Sequence, residues 1–189
     1  MKEETRKDEI IRTAAILFKE KGFSAVTMRD IAKFMGIKAA SLYNHINSKQ
    51  EILSNIIIKL AEEFTQGMDK IKEGNSSTID KLKNIVNLHV RITSNNPFGM
   101  ASLNNDWMHL EGQLDYYLQL RLNYEDNLRQ IIIRGIDNGE LANSNAEVML
   151  FSMLSTLRSL YIWIPDKKDL DPSELVSDLS IVLLKGIIK

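Results

Sequence analysis

The chain has 189 residues, 44% of them hydrophobic and 26% charged, with a net charge of −1 and no cysteine. These are the proportions of a globular protein with a sizeable core. They exclude a disulfide scaffold and a thiolate metal site, fit a reducing compartment, and with the charged opening MKEETRKDEI exclude a signal peptide.

The first helix is expected over Lys2–Lys21, with Ile10, Ala14, Leu17 and Phe18 at helical spacing and Lys, Glu and Arg on the other face. Gly22 ends it, and Phe23 and Val26 fold back as apolar plugs. Thr27 and Asp30 stand three apart, the spacing of a capping box that opens a second helix. Ile31, Ala32 and Met35 give that helix its apolar stripe, and Gly36 suits the left-handed position that ends it. Lys38–Asn44 then reads as a very short helix with Ala40 and Leu42 as core positions, leaving Lys38, Ala39, Ser41, Tyr43 and Asn44 outward. Ser48 and Glu51 form another capping box and restart the chain. Two helices across a glycine turn, the second short and rich in small polar residues, describe a helix-turn-helix that reads DNA.

Charge follows this division. Residues 1–50 hold ten Lys or Arg against six Asp or Glu, a balance of +4, and the remainder hold fourteen against nineteen, a balance of −5. A basic head on an acidic body suits a protein that meets DNA at one end. A three-helix head of about fifty residues is marginal alone, so the long fourth helix, Lys49 to about Lys72, is expected to support it. Ile52, Leu53, Ile56, Ile57, Leu60, Phe64 and Met68 mark its buried side. Gly67 costs such a helix about 1 kcal/mol relative to Ala; it allows a bend or a close approach, or is tolerated near a fraying end.

Ser77-Thr78-Ile79-Asp80 opens a helix that runs to about Asn95, where Asn96-Pro97 breaks it. Phe98–Leu110 reads as one or two short helices, and Gly112 as a second break. A long helix follows from Gln113 to Asn138-Gly139. Ser144 and Glu147 are expected to cap the next, which continues to Ile164 before Pro165. Asp171-Pro172-Ser173-Glu174 carries three start signals for a last helix to about Ile188. The run Val148–Ile164 is apolar nearly all round but interrupted by Ser152, Ser155, Thr156, Arg158 and Ser159, which suits a helix covered on several sides better than a membrane span. It and the last helix are expected to pair with their copies in a second chain as a four-helix bundle; Leu154, Arg158, Tyr161, Leu179, Val182 and Leu183 are the expected interface. A wholly intramolecular core is the alternative. Arg158 needs an anion, either a carboxylate across that interface or an acidic ligand.

Leu17-Phe18, Gly22-Phe23, Thr27, Ile31-Ala32, Gly36, Leu42-Tyr43, His45 and Ser48-Lys49 resemble, in order and spacing, the N-terminal domain of the tetracycline-repressor (TetR) family. Ile46 stands where an aromatic residue is usual there, and Gln50 where an acid is common. The resemblance implies an all-α protein of about nine helices: a three-helix DNA-binding domain over residues 1–48 and a ligand-binding and dimerisation domain over 49–189. It places Tyr43, His45 and Lys49 along the DNA backbone. The chemistry agrees, since hydroxyl, imidazole N–H and ammonium all donate to phosphate oxygens. Thr27 is expected on a phosphate, and Arg29 on a guanine as a bidentate donor. Lys38, Ala39, Ala40, Ser41 and Asn44 form the groove-facing set, with the alanines suited to thymine methyls.

The resemblance also implies a pocket in the second domain, for which Phe64, Met68, Met100, Trp107, Met108, Tyr117, Arg121, Tyr124 and Phe151 are the candidates, with ordinary core packing as the alternative for each. His89, Asn104, His109, Arg121 and Arg158 are the polar residues embedded in those helices. Trp107, Tyr124-Glu125 and Asn138-Gly139-Glu140-Leu141 loosely resemble members that respond to fatty-acyl thioesters, one option beside hydrophobic drugs, bile-type amphiphiles and aromatic metabolites. The expected function is a cytoplasmic, ligand-responsive repressor. It binds a near-palindromic duplex operator as a homodimer and is released by a small hydrophobic or amphipathic effector, with no cofactor, metal or membrane. An activator or a protein-binding adaptor of the same fold is the alternative. An all-α enzyme is disfavoured, because no Gly-rich phosphate loop, His-x-x-x-His pair or Ser-His-acid constellation is evident.

Overall fold

The computed structural model describes residues 5–167 and 170–185; the ends expected for the first and last helices, at Lys2–Glu4 and Gly186–Ile188, lie outside that range. Among the described residues there are nine α-helices and three short 3₁₀ turns, the all-α fold expected. The chain divides into two compact units, one of residues 1–61 and 98–118, the other of residues 62–97 and 119–189.

Unit 1 begins with α1 (Arg6–Lys21), capped reciprocally by Thr5 and Asp8. Ile10, Ala14, Leu17 and Phe18 are buried, and Gly22 ends the helix at φ 81°. α2 (Met28–Phe34) opens with the expected box, in which Thr27 Oγ1 accepts from the Asp30 N–H and donates to its carboxylate at 2.5 Å. Gly36 turns the chain at φ 67°, and the Ile37 N–H returns to the Ala32 carbonyl at 3.0 Å. A side chain at that φ would be strained, which is why glycine stands there. α3 (Ala39–Tyr43) is five residues long and held to the core by Leu42, 0% exposed; Ala40, expected inside, is exposed, because a helix this short has room for one inward position.

α4 (Lys49–Glu73) starts where Ser48 Oγ accepts the Glu51 N–H at 3.0 Å. The Glu51 carboxylate takes the Asn47 N–H and side-chain amide, and the Lys7 ammonium at 2.8 Å. Unit 1 is completed by α6 (Pro97–Asn105), the 3₁₀ turns Trp107–His109 and Glu111–Gln113, and the first residues of α7 (Leu114–Asp137). His109 stacks on Phe23 with ring centres 5.1 Å apart, and Trp107 on Tyr117 at 6.0 Å.

Unit 2 takes the end of α4, α5 (Thr78–Asn95), most of α7, α8 (Ala146–Trp163) and α9 (Pro172–Lys185). α5 packs against both α8 and α9, which explains its long buried roll from Leu82 to Thr93. Its N-terminus is clamped from afar: Glu140 accepts the Thr78 N–H and hydroxyl, each at 2.9 Å. The Asn138–Leu141 stretch therefore closes the fold, with Gly139 at φ 73° and Leu141 buried beneath. α8 is capped by Asn145, whose side chain accepts the Glu147 N–H at 2.8 Å, one residue later than the expected Ser144. Asp171 Oδ1 caps α9 through the Ser173 and Glu174 N–H groups.

Gly67 is a close-approach glycine. A Cβ there would lie 2.5 Å from Leu88 Cδ1 and 3.1 Å from its Cγ. Gly67→Ala gains about 1 kcal/mol of helix propensity and incurs about 1–3 kcal/mol of overpacking. The expected result is a lower urea midpoint, and a smaller penalty for Gly67→Ala when it is made in a Leu88→Ala background.

Candidate nucleic-acid interface and effector site

The expected reading residues lie on α2, α3 and the segments that flank them in unit 1. Arg29, Lys38, Ala40, Tyr43, Asn44 and His45 are exposed, with Ala39 and Ser41 half-buried. Tyr43 is 50% exposed although aromatic, and Phe34, which the sequence pattern did not single out, is 59% exposed at the end of α2. Leu42 aside, no residue of α3 is buried, so its polar surface is available to a groove edge.

Two of the expected contacts have other work within the protein. Thr27 is exposed, but its hydroxyl proton goes to Asp30; that hydrogen bond holds the Asp30 carboxyl below the usual carboxylate range. The Lys49 ammonium donates to the Phe23 carbonyl at 2.7 Å and the Ser24 carbonyl at 3.4 Å, and lies 4.2 Å above the Phe23 ring. It ties the start of α4 to the turn between α1 and α2. Lys49→Ala is accordingly expected to lower stability by about 1 kcal/mol and to leave the slope of log affinity against log salt unchanged. Lys38→Ala is expected to lower that slope by about one. Salt titrations of operator binding compare the two.

The candidate pocket residues are divided between the two units. Met100, Trp107 and Tyr117 belong to unit 1; Met100 and Tyr117 are buried, and Met108, also in unit 1, is 56% exposed. Phe64, Met68, Arg121 and Tyr124 belong to unit 2. Unit 2 also holds His89, one of the embedded polar residues expected from the sequence. It is 3% exposed, with Nε2 2.9 Å from the Tyr124 hydroxyl and Phe64 packed on its ring at 4.7 Å. Burial, then the charge of Arg158, lowers the His89 pKa from 6.5 to about 3. Burial raises that of Tyr124, so both are neutral near pH 7.

Arg158 has its anion in its own chain. It donates to Glu125 Oε1 at 2.6 Å, and Arg121 reaches the same oxygen at 3.2 Å. Neither a carboxylate across an interface nor an acidic ligand is required. Burial alone would raise the Glu125 carboxyl; the two arginines outweigh it and hold the group below its usual range.

A neutral buried histidine makes stability depend on pH. The unfolded imidazole binds a proton below 6.5 and the folded one only below about 3. Stability is therefore complete above pH 6.5 and falls as pH drops through that window, by about 1.4 kcal/mol per unit at the limit. Urea unfolding between pH 7 and 4.5 is expected to show this loss, and His89→Asn to remove it.

The outer face of α8 differs from the expected interface. Leu154 is 3% exposed, packed within its own protomer, and Phe151, expected in the pocket, is 70% exposed. Because α8 is apolar on both sides, composition does not say which side faces in; the exposed row is Val148, Phe151, Ser152, Ser155, Ser159 and Ile162. The serines at three- and four-residue spacing are the signal that marks it. On α9, Ile181 and Val182 are 58% and 73% exposed, while Leu179 and Leu183 are half-buried, as is Tyr161 on α8. The segment Ala146–Asp166 is long and apolar enough to cross a membrane, but its inward face of Met149, Leu150, Met153, Leu154, Leu157 and Leu160 packs against the rest of the chain.

A helix-turn-helix carried on an all-helical body that leaves apolar helix faces exposed defines a DNA-binding regulator of transcription. Comparison with known proteins makes the assignment specific. Residues 10–56 match the family model "Bacterial regulatory proteins, tetR family", and residues 75–187 the model "Tetracyclin repressor-like, C-terminal domain". The chain belongs to the TetR family. It is 32% identical over 78 residues to the HTH-type transcriptional repressor KstR2 of Mycolicibacterium smegmatis, a match covering 41% of this chain and 38% of that protein. It is 54% identical over 46 residues to IcaR, the biofilm operon icaADBC negative transcriptional regulator of Staphylococcus aureus strain Newman, covering 24% of this chain and 25% of that one. These matches span well under half the length of either relative. Among solved structures, KstR2 of Mycobacterium tuberculosis superposes with a TM-score of 0.91 at 20% identity over 98% of this chain and 96% of that one. The TetR-family regulator PfmR of Thermus thermophilus gives 0.82 at 26% identity over 96% and 100%.

Proposed function

We propose that the protein is a repressor that holds a near-palindromic operator as a homodimer and is released by a small hydrophobic or amphipathic effector bound in unit 2. The observation that carries this reading is α3, a recognition helix with one inward residue, Leu42, and every other side chain outside the core. Tyr43 and His45 would meet phosphates and Arg29 a guanine, with Lys38, Ala39, Ala40, Ser41 and Asn44 facing the groove. Two relatives named as repressor or negative regulator support the sign of regulation. One head covers too few base pairs for a selective site, so a second copy supplies the other half. The exposed faces of α8 and α9 are the surface for it, apolar at Phe151, Ile162, Ile181 and Val182 and small at the serines between. A cytoplasmic location follows from this role.

Release requires only that the effector prefer a conformation with poorly spaced heads; DNA and effector then weaken each other by the same factor. Fluorescence anisotropy with the DNA upstream of the protein's own gene tests the reading. Specific, salt-sensitive binding that Arg29→Ala relaxes at one base pair per half-site is expected. Equal affinity for all duplexes contradicts it.

A further inference from the structure

Two polar side chains on α5 are buried in unit 2 with hydrogen-bonding capacity unused. His89 and Thr93 are 3% and 0% exposed, and His89 Nδ1 and Thr93 Oγ1 have no hydrogen-bond partner. Four residues apart, they lie on one face of the helix, one turn from each other. The Phe64 and Tyr124 rings close around the imidazole at 4.7 and 5.8 Å. Native proteins rarely leave such groups unsatisfied, and a position that does so is a place to look for a ligand.

Counting protons decides the ligand's chemistry. The neutral trio of Tyr124, His89 and Thr93 holds three: on the phenol oxygen, on one imidazole nitrogen and on the threonine oxygen. The 2.9 Å contact between Tyr124 and His89 uses one. If Tyr124 donates, the imidazole N–H is on Nδ1 and remains over, together with the Thr93 hydroxyl. If Nε2 donates, the Tyr124 and Thr93 hydroxyl protons remain over and Nδ1 is left as an unused acceptor. Both tautomers leave a donor in need of an acceptor. A water molecule accepts such protons but adds two of its own to be placed, whereas a carbonyl oxygen accepts two and adds none. A carboxylate would need a buried counter-charge, and the nearby guanidinium of Arg158 is already bonded to Glu125.

Resting on the reading of unit 2 as the effector-binding part, we propose that His89, Thr93 and Tyr124 are the polar anchor of the effector site, and that the effector is an uncharged, mainly apolar molecule whose carbonyl-type oxygen accepts hydrogen bonds from them. The apolar remainder lies against Phe64 and its neighbours, and contributes affinity without orientation.

The test uses the full chain labelled with ¹⁵N-histidine and three pairs of probes: 2-decanone with decane, camphor with bornane, and 9-fluorenone with fluorene, with decanoate as the charged competitor. At least one ketone is expected to bind roughly fivefold or more tightly than its hydrocarbon, the worth of one neutral hydrogen bond, and to move the His89 Nδ1 resonance. Thr93→Val is expected to reduce that ratio and Thr93→Ser to restore it, with the fold of both variants checked by circular dichroism. The proposal is overturned if no ketone binds, if each ketone and its hydrocarbon bind alike, if decanoate is preferred, or if Nδ1 does not move. Operator affinity is measured alongside. A ketone that binds with these signatures but leaves the operator bound would refute the effector-release reading while the anchor stands.

Discussion

Replacing Phe151 and Val182 together by glutamate is expected to leave a folded monomer whose operator affinity is at least a hundredfold weaker. Both side chains are largely exposed in the protomer, at 70% and 73%, so the change removes nothing from the protomer core and the circular dichroism should not alter. In a twofold pair each substitution occurs twice, placing four carboxylates where four apolar side chains were to be buried. Each of those side chains would contribute about 1.5–3 kcal/mol on full burial, and an unpaired carboxylate at the same place is costly to desolvate. Half of a palindromic site then binds without the help of the other half. The difference between specific dimers and loosely bound single heads spans several powers of ten. Sedimentation velocity reads the oligomeric state and anisotropy the affinity. A variant that remains a dimer would move the interface elsewhere on the surface.

Leu42→Ala is expected to have the second large effect. Leu42 is 0% exposed and is the residue by which α3 is attached to the core. A fully buried leucine truncated to alanine costs about 2–5 kcal/mol, and a five-residue helix has no cooperative length of its own to resist the loss. Operator binding should fall by two orders of magnitude or more while the exposed reading residues remain chemically intact. Hydrogen exchange should place the loss in α2 and α3, with protection in α5 preserved. Unchanged affinity would show that α3 does not carry recognition.

The reading head was legible because its signals are local. The Thr27–Asp30 box, Gly36 in the left-handed region and the inward Leu42 all act within a few residues of one another, though Ala40, expected inside beside Leu42, is exposed. The same kind of signal was one residue out at α8, where Ser144 and Asn145 are both good caps and only the backbone decides between them. Contacts between residues distant in sequence were not legible. Nothing near Lys49 announces that its ammonium is held by carbonyls twenty-six and twenty-five residues earlier. Nor does anything near Arg158 point to Glu125, thirty-three residues away, rather than to a second chain. The inward side of α8 was ambiguous because leucine and methionine on one face and valine and phenylalanine on the other have similar hydrophobicity. His89 was visible as a polar residue in an apolar helix, but its partner Tyr124 lies on another helix, so its role depended on packing that no short stretch encodes.

The most direct test of the central claim is selection of genomic DNA fragments by the purified full-length protein, followed by sequencing of those retained. The expected result is one enriched motif, nearly palindromic, with half-sites about one helical turn or a small multiple apart, whose enrichment falls steeply with salt and is lost in Phe151→Glu/Val182→Glu. Retention of fragments without a shared motif, or of a single half-site unaffected by that double variant, would contradict it.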